Sequence, residues 1–367
     1  MLERHPIKYF APGWFAMIMG TGGLANILYL WQTNFQLGTF LGTALAALAD
    51  IMWFFVLIPW LIRWVVYFEY VRRDLHHPVT VNFFVTMPVA TAIFGTNIYI
   101  IWSKYLGEPL TYILCLSAWI IAIIGVTCFT FYITFRMMRV EESPKPEIIN
   151  FSWIMAPIAN MAVLLIGNPV LEMTLKYQAN WAMSVLVTNL ALLGIGFFLF
   201  IFISAIVFVR LAQHPLPPAE MTPSFGILLS AVGLAVSAVI DLAKNAQNMG
   251  ILASTELARL GAVVIWGFGI WIVGIILMIS IYHVRRGGIP FNLGWWAFIF
   301  PLAAYTIASQ KITLYFASPL TYGYTAFLII LLVFLWLYTF CNTILGVLNG
   351  RLFTGMPISE LSERLVK

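Results

Sequence analysis

The sequence predicts an all-α integral membrane protein: ten transmembrane helices, arranged as five parallel helical hairpins around a central pore, with the odd helices as the inner ring. Three observations predict it. Lys+Arg number 19 and Asp+Glu 14, only 9% of 367 residues, while 62% are hydrophobic and the mean hydropathy is +0.95. A soluble domain carries about 25% charged residues, so this chain has too few to coat a water-facing surface. The apolar residues fall into ten stretches, each near the roughly 20 residues a spanning helix needs. A two-helix unit recurs along the chain. These features exclude a soluble globular enzyme, a disordered chain and a nucleic-acid binder, despite a formal charge of +5.

The stretches run over 11–31, 37–62, 80–103, 109–135, 150–168, 181–209, 223–243, 258–284, 291–310 and 321–348. None alternates with period 2, which speaks against a β-barrel. The first holds Trp14 and Trp31 and no small-residue cleavage site, so it reads as a span and not as a cleavable signal. With an even span count, 14 of the 19 Lys and Arg fall on the side of the termini. The other five are Lys104, Lys176, Lys244, Arg259 and Lys311. That bias and the ten stretches predict a cytoplasmic N-tail (1–10), a ten-helix transmembrane domain (11–348) and a cytoplasmic C-tail (349–367) in the cell membrane.

The repeat is visible in the odd spans. Each opens with aromatic residues, and a helix-weakening residue follows a turn or two later, as in Phe83-Phe84-Val85-Thr86-Met87-Pro88 and Trp295-Trp296-Ala297-Phe298-Ile299-Phe300-Pro301. Anchored at positions 20, 88, 157, 231 and 301, the separations are 68, 69, 74 and 70. A unit of two spans always starts on the same side, so the repeats are parallel and related by an axis along the membrane normal. Pro88, Pro157 and Pro301 are expected to kink their helices and free carbonyls, with Gly20-Thr21-Gly22-Gly23 as the equivalent break in the first span. Such breaks are tolerated only against protein or a water-filled cavity. One position before the anchors, Met19, Met87, Ala156, Ser230 and Phe300 share a level. Phe300 is the one large rigid side chain there, and either fills apolar space or plugs a constriction.

The pore-lining and substrate candidates are therefore Met19, Gly20, Thr21, Thr86, Met87, Pro88, Pro157, Asn160, Ser230 and Pro301, with Phe300 as the gate. The polar ones carry hydroxyls and amides and form no ring of acids, which suits anions better than cations. Asp50 lies mid-span. A carboxylate there is a functional candidate by default, either for proton coupling or as a group paired to a neighbouring helix or subunit. Asp241 and Lys244, three apart, read as an interfacial ion pair. No phosphate-binding loop, His-Glu-x-x-His or Gly-x-Ser-x-Gly occurs, and the three cysteines sit in apolar runs without zinc spacing. No enzyme, cofactor, metal or nucleic-acid partner is expected.

Phe15–Ala25 with its Met19-Gly20-Thr21-Gly22-Gly23 core, His77-Pro78 followed by Thr86-Met87-Pro88, Leu216-Pro217-Pro218, and the Trp-Trp-Ala-Phe-Ile-Phe-Pro run at 295–301 resemble the tellurite-resistance/dicarboxylate transporter family. That family includes yeast malate permeases, sulfite efflux pumps and plant slow anion channels. The resemblance covers about residues 5 to 350. It implies a ring of five hairpins, a homotrimer in lipid, and a pore occluded by a ninth-span phenylalanine, a role that falls on Phe300. It implies a small anionic substrate, with C4-dicarboxylates such as malate first and proton coupling as a candidate energy source. The alternatives are a passive gated channel for chloride or nitrate and an exporter of sulfite or tellurite.

Overall fold

The computed structural model describes residues 3–31, 37–139 and 149–355. Lys145, Arg364 and Lys367, which enter the charge bias, lie outside them. Among the described residues, nine helical segments are long and apolar enough to cross a bilayer: Pro12–Leu30, Gly38–Val66, Thr80–Leu106, Glu108–Met138, Phe151–Tyr177, Ala179–Gln213, Ala219–Asn248, Glu256–Val284 and Pro319–Leu348. Trp296–Tyr315, with Gln310 and Lys311 near its far end, is a 20-residue helix and takes the ninth place in the chain, so Pro319–Leu348 is the tenth. The chain is an all-α, multi-pass membrane protein. Helices are the natural choice, because each satisfies its own backbone where no water is available.

Burial alternates along the chain. Over an 18-residue apolar stretch of each, 72% to 89% of the residues are buried in the first, third, fifth and seventh spans, against 28% to 33% in the even spans. The ninth is buried over nearly its whole length. The even spans turn large apolar side chains outward, among them Phe55, Phe131, Phe202, Val264 and Ile330. So much exposed apolar surface has no place in water and matches lipid. Three of their indoles point the other way. Trp53, Trp266 and Trp336 donate to Thr91, Ser309 and Thr21, respectively, each on the next buried span, at 2.8 to 3.2 Å. A buried indole N–H needs such a partner.

The breaks in the odd spans are not where the prolines suggested. Each odd span opens with a short 3-10 turn and then becomes α-helical: Pro12–Trp14, Thr80–Val85, Phe151–Ile154, Ala219–Met221 and Leu293–Trp295. Pro88 and Pro157 follow as third residues of the helices that begin at Thr86 and Met155. There the missing N–H is one that needs no helical partner, so neither kinks its helix. Gly20-Thr21-Gly22-Gly23 lies in an unbroken helix, Phe15–Leu30. Only Pro301 is interior, in Trp296–Tyr315. The carbonyl it deprives of a partner, that of Ala297, faces Gly226 on the seventh span. A Cβ at Gly226 would collide with that oxygen.

At the end that carries the termini, Glu3–Arg4 pairs antiparallel with Thr354–Gly355, and Trp14 stacks on Phe353 at 5.2 Å. Both ends of the described chain therefore lie on one side, as an even number of crossings requires. Arg63, 1% exposed, ties the second span to this end. It donates to the Lys8 and Tyr70 carbonyls at 3.1 and 3.3 Å, and to Asp74 at 2.5 Å. Between the second and third spans, His77 Nδ1 accepts from the Thr80 N–H at 3.1 Å. Partial burial lowers the pKa of this ring below 6.5, with the Asp74 charge opposing and the Arg73 charge adding. The neutral ring is thus the form the fold prefers. Its contribution to stability is complete above pH 6.5 and is lost as the pH falls from there through the depressed value. His77→Gln should flatten the dependence of melting temperature on pH in that window. An unchanged difference between variant and wild type across it would overturn the assignment.

Candidate functional site

Two cavities lie end to end among the buried spans. The first, nearer the termini, has a volume of about 50 Å³ and is almost wholly apolar. Each odd span gives it one stripe at helical spacing: Ala16 and Met19; Val85, Thr86 and Val89; Met155, Ile158 and Ala159; Ile227 and Ser230; Trp296, Ala297, Phe300 and Pro301. The hydroxyls of Thr86 and Ser230 are its polar groups. Each is turned back on its own backbone, Thr86 to the Phe83 carbonyl at 2.6 Å and Ser230 to that of Ile227 at 2.6 Å.

The second cavity, about 320 Å³, lies beyond it and is polar. The same stripes continue into it through Gly23 and Asn26, Ile93 and Thr96, Leu165 and Asn168, Asp241 and Lys244, and Ala303 and Ile307. Phe300, 6% exposed, lines both cavities, and among the described residues it alone does so. A wider vestibule of about 550 Å³ shares Leu30, Tyr99, Ile100 and Glu172 with the second cavity. It carries the exposed pair of Lys176 and Glu108, 2.6 Å apart.

A girdle of polar contacts runs round the second cavity and joins each odd span to the next. Asn26 donates to Asn97 at 3.1 Å, Tyr99 to Glu172 at 2.7 Å, and Lys244 to Glu172 at 2.8 Å. Lys311 pairs with Asp241, and Gln310 closes the circuit onto the Ile27 carbonyl at 3.0 Å. The members of the first four contacts stand 70 to 73 residues apart in sequence, which is the repeat length. Contact therefore passes from the first span to the third, fifth, seventh and ninth and back to the first.

The sequence candidates divide accordingly. Met19, Thr86, Ser230, Phe300 and Pro301 line the first cavity. Met87, Ala156 and the others line neither. Thr21 accepts from Trp336, and Gly20 packs against Trp296 and Ile299. Pro88 sits against Gly125, and the Pro157 carbonyl against Gly196. Asn160 donates to Thr130 at 2.8 Å. These side chains serve contacts between neighbouring helices. Asp241 and Lys244 do not pair with each other, as their spacing suggested. Each reaches across to another span, because the neighbouring helices at the rim offer Lys311 and Glu172. Acids are thus present at the far cavity, contrary to the sequence reading, and each is matched by a lysine. Glu172 lies beyond the fifth apolar stretch, which ends at 168, whereas the helix continues to Tyr177. A polar residue recurs at 26, 97, 172, 241 and 311, and that period was the available signal.

Asp50 lies outside both linings. Its carboxylate accepts from Asn97 at 2.8 Å and from Trp102 at 2.7 Å, both neutral donors. Asn97 in turn accepts from Asn26, so a hydrogen-bonded chain leads from the outer wall to the second cavity. No cluster of three or more metal-ligating side chains occurs among the described residues.

Known proteins resemble this chain over almost its full length. An uncharacterized transporter of Methanocaldococcus jannaschii is 30% identical over 95% of this chain and 96% of its own. A sulfite efflux pump of Trichophyton rubrum is 26% identical over 95% and 93%. A Schizosaccharomyces pombe protein provisionally named for malic acid transport is 24% identical over 80% and 69%. The model of the voltage-dependent anion channel family (SLAC1) matches residues 9–344. Ten helical segments whose buried members enclose two stacked cavities, together with that match, make this chain a member of the voltage-dependent anion channel family.

Proposed function

We propose that the protein carries small organic anions across the cell membrane, C4-dicarboxylates such as malate first, along a route through both cavities that Phe300 occludes. The observation that carries this reading is the position of Phe300 as the shared wall of the two cavities. An aromatic ring in an apolar constriction excludes a hydrated ion by blocking and dewetting its path. The termini face the cytoplasm by the positive-charge bias, with 1–10 and 349–367 as tails to a transporter domain at 11–348. The subunit is one of a homotrimer, in which the exposed apolar faces of the even spans meet lipid and neighbouring copies.

A dianion entering a negative interior moves against the membrane potential, so inward transport needs a driving ion. Asp50 is the candidate group for proton coupling, since it is a carboxylate linked through Asn97 to Asn26 on the cavity wall. Purified protein in liposomes should take up labelled malate faster when the outside is made acid. Asp50→Asn should retain uptake and lose that acceleration. Acceleration that survives the substitution removes Asp50 from the mechanism, and no malate uptake in any gradient removes the dicarboxylate reading.

A second reading is export of sulfite, favoured by the fungal sulfite efflux pump that matches 95% of this chain. A third is passive conduction of chloride or nitrate, which the family description favours. Labelled sulfite and chloride in the same liposomes separate these from the first. Resistance to tellurite belongs with the export reading and is tested by growth on tellurite.

A further inference from the structure

Recognition of a dicarboxylate needs cationic groups within reach of the route, and the first cavity has none among its lining residues. The second has Lys244 and Lys311, each already bound to a carboxylate of the chain itself. Both pairs are partly exposed, with 53% and 30% of the Lys244 and Glu172 side chains accessible, and 23% and 31% of those of Lys311 and Asp241. Half-exposed pairs of this kind are weakly held. They are also not equivalent. Glu172 keeps a second donor in the Tyr99 hydroxyl, whereas among the described residues Asp241 accepts from Lys311 alone. Lys244 is therefore the ammonium released at the lower cost, because Glu172 keeps the Tyr99 hydroxyl when it leaves, and Lys311 is the one whose departure needs a replacement contact for Asp241.

The same cavity is lined by two amides whose oxygens lack a donor. Asn26 and Asn168 are 1% and 3% exposed and line it. The side-chain oxygen of each has no hydrogen-bond donor among the described residues and is itself closed to water, so it meets a ligand once the amide turns toward the cavity that its residue lines. Buried polar atoms are rarely left so, and an orphan acceptor is the complement of a hydroxyl donor. A simple dicarboxylate has no donor to offer. A 2-hydroxydicarboxylate has one, placed between its two carboxylates.

We propose that the second cavity is a recognition site for a hydroxylated C4-dicarboxylate, in which Lys311 and Lys244 leave Asp241 and Glu172 to bind the two carboxylates while Asn168 or Asn26 accepts the hydroxyl. The proposal rests on the transport reading for its choice of ligand, and it adds the residues that choose. The chain's own carboxylates hold the ammonium groups in place while the site is empty; the ligand takes their place on each lysine, and the displaced carboxylates turn to the water of the open cavity, Glu172 keeping the Tyr99 hydroxyl. A halide fills one such position and gains nothing from the second lysine or the amide. A site built to accept a hydroxyl discriminates strongly against the analogue that lacks it, because the buried acceptor is then left unpaired.

The test is malate and succinate binding to the detergent-purified protein by calorimetry, run beside uptake into liposomes. Lys311→Gln should weaken malate binding by about tenfold or more, which is the loss of one charge-assisted contact, and should change chloride flux far less. Asp241→Asn, which frees Lys311 and keeps the side-chain volume, should tighten malate binding several-fold. Asn168→Leu should abolish the preference for malate over succinate. If Lys311→Gln does not fold, Lys244→Gln and Asp241→Asn put the same question. Malate affinity unmoved by these substitutions, in protein that elutes as wild type, overturns the site even where uptake is intact. Binding that responds as described without uptake overturns the transport reading and leaves the site standing.

Discussion

Phe300→Ala is expected to open the route between the two cavities and raise anion flux through wild-type-like protein by at least tenfold. The ring is the one side chain shared by the two linings, and no polar side chain of the first cavity stands free to hydrate an ion there. Lowering the barrier at such a point by about 1.4 kcal/mol multiplies a rate by ten, and removing the whole ring takes away both the obstruction and the apolar surface that dewets the gap. Phe300→Leu should fall between, since leucine keeps the apolar surface but is smaller and more pliable. The measurement is macroscopic current or isotope efflux from liposomes of matched protein content. In an alternating-access carrier the same substitution should instead abolish or uncouple transport, so a loss of flux rejects the channel-like gate. A melting curve in detergent guards against misreading a folding defect. Phe→Ala in a close-packed core costs about 3–5 kcal/mol, and the cost here should be lower because Phe300 borders open space.

The largest effect on stability is expected at Asp74. Asp74→Ala leaves the Arg63 guanidinium at 1% exposure without its carboxylate, and removing one partner of a buried pair costs about 3–5 kcal/mol. The carbonyls of Lys8 and Tyr70 remain as acceptors, but they carry no charge. Asp74→Asn keeps an acceptor oxygen and should lose distinctly less. Replacing Arg63 and Asp74 together by apolar residues of similar size should recover most of the stability, because no buried charge is then orphaned. A melting temperature for Asp74→Ala within error of wild type would show that the pair does not hold the second span to the N-terminal segment.

The relation between helices was written in this sequence more plainly than the direction of their side chains. The 70-residue spacing foretold that odd and even spans would differ, and it reappears in the girdle contacts at 70 to 73 residues. Met19, Ser230 and Phe300, aligned by that spacing, all line the first cavity. Positions 87 and 156, aligned by the same rule, miss the cavity. A helix turns about 100° per residue, so an error of one position in register points a side chain at the wrong neighbour. The 3-10 turns that open the odd spans shift that register, and prolines in the following first turn were easily mistaken for kinks within a helix.

By itself the sequence determined membrane insertion, the number of long helical segments and the choice of buried against exposed spans. Each of these depends on sums over some 20 residues, in which single errors average out. Only the tertiary structure decided the pairing of Asp241 with Lys311 and of Lys244 with Glu172, the hydrogen-bonded chain from Asp50 through Asn97 to Asn26, and the presence of two separate cavities that share Phe300. Those contacts join residues about 70 positions apart or more, or depend on the rotation of one helix against another, and local periodicity carries no information about which of several equally spaced partners a side chain will meet.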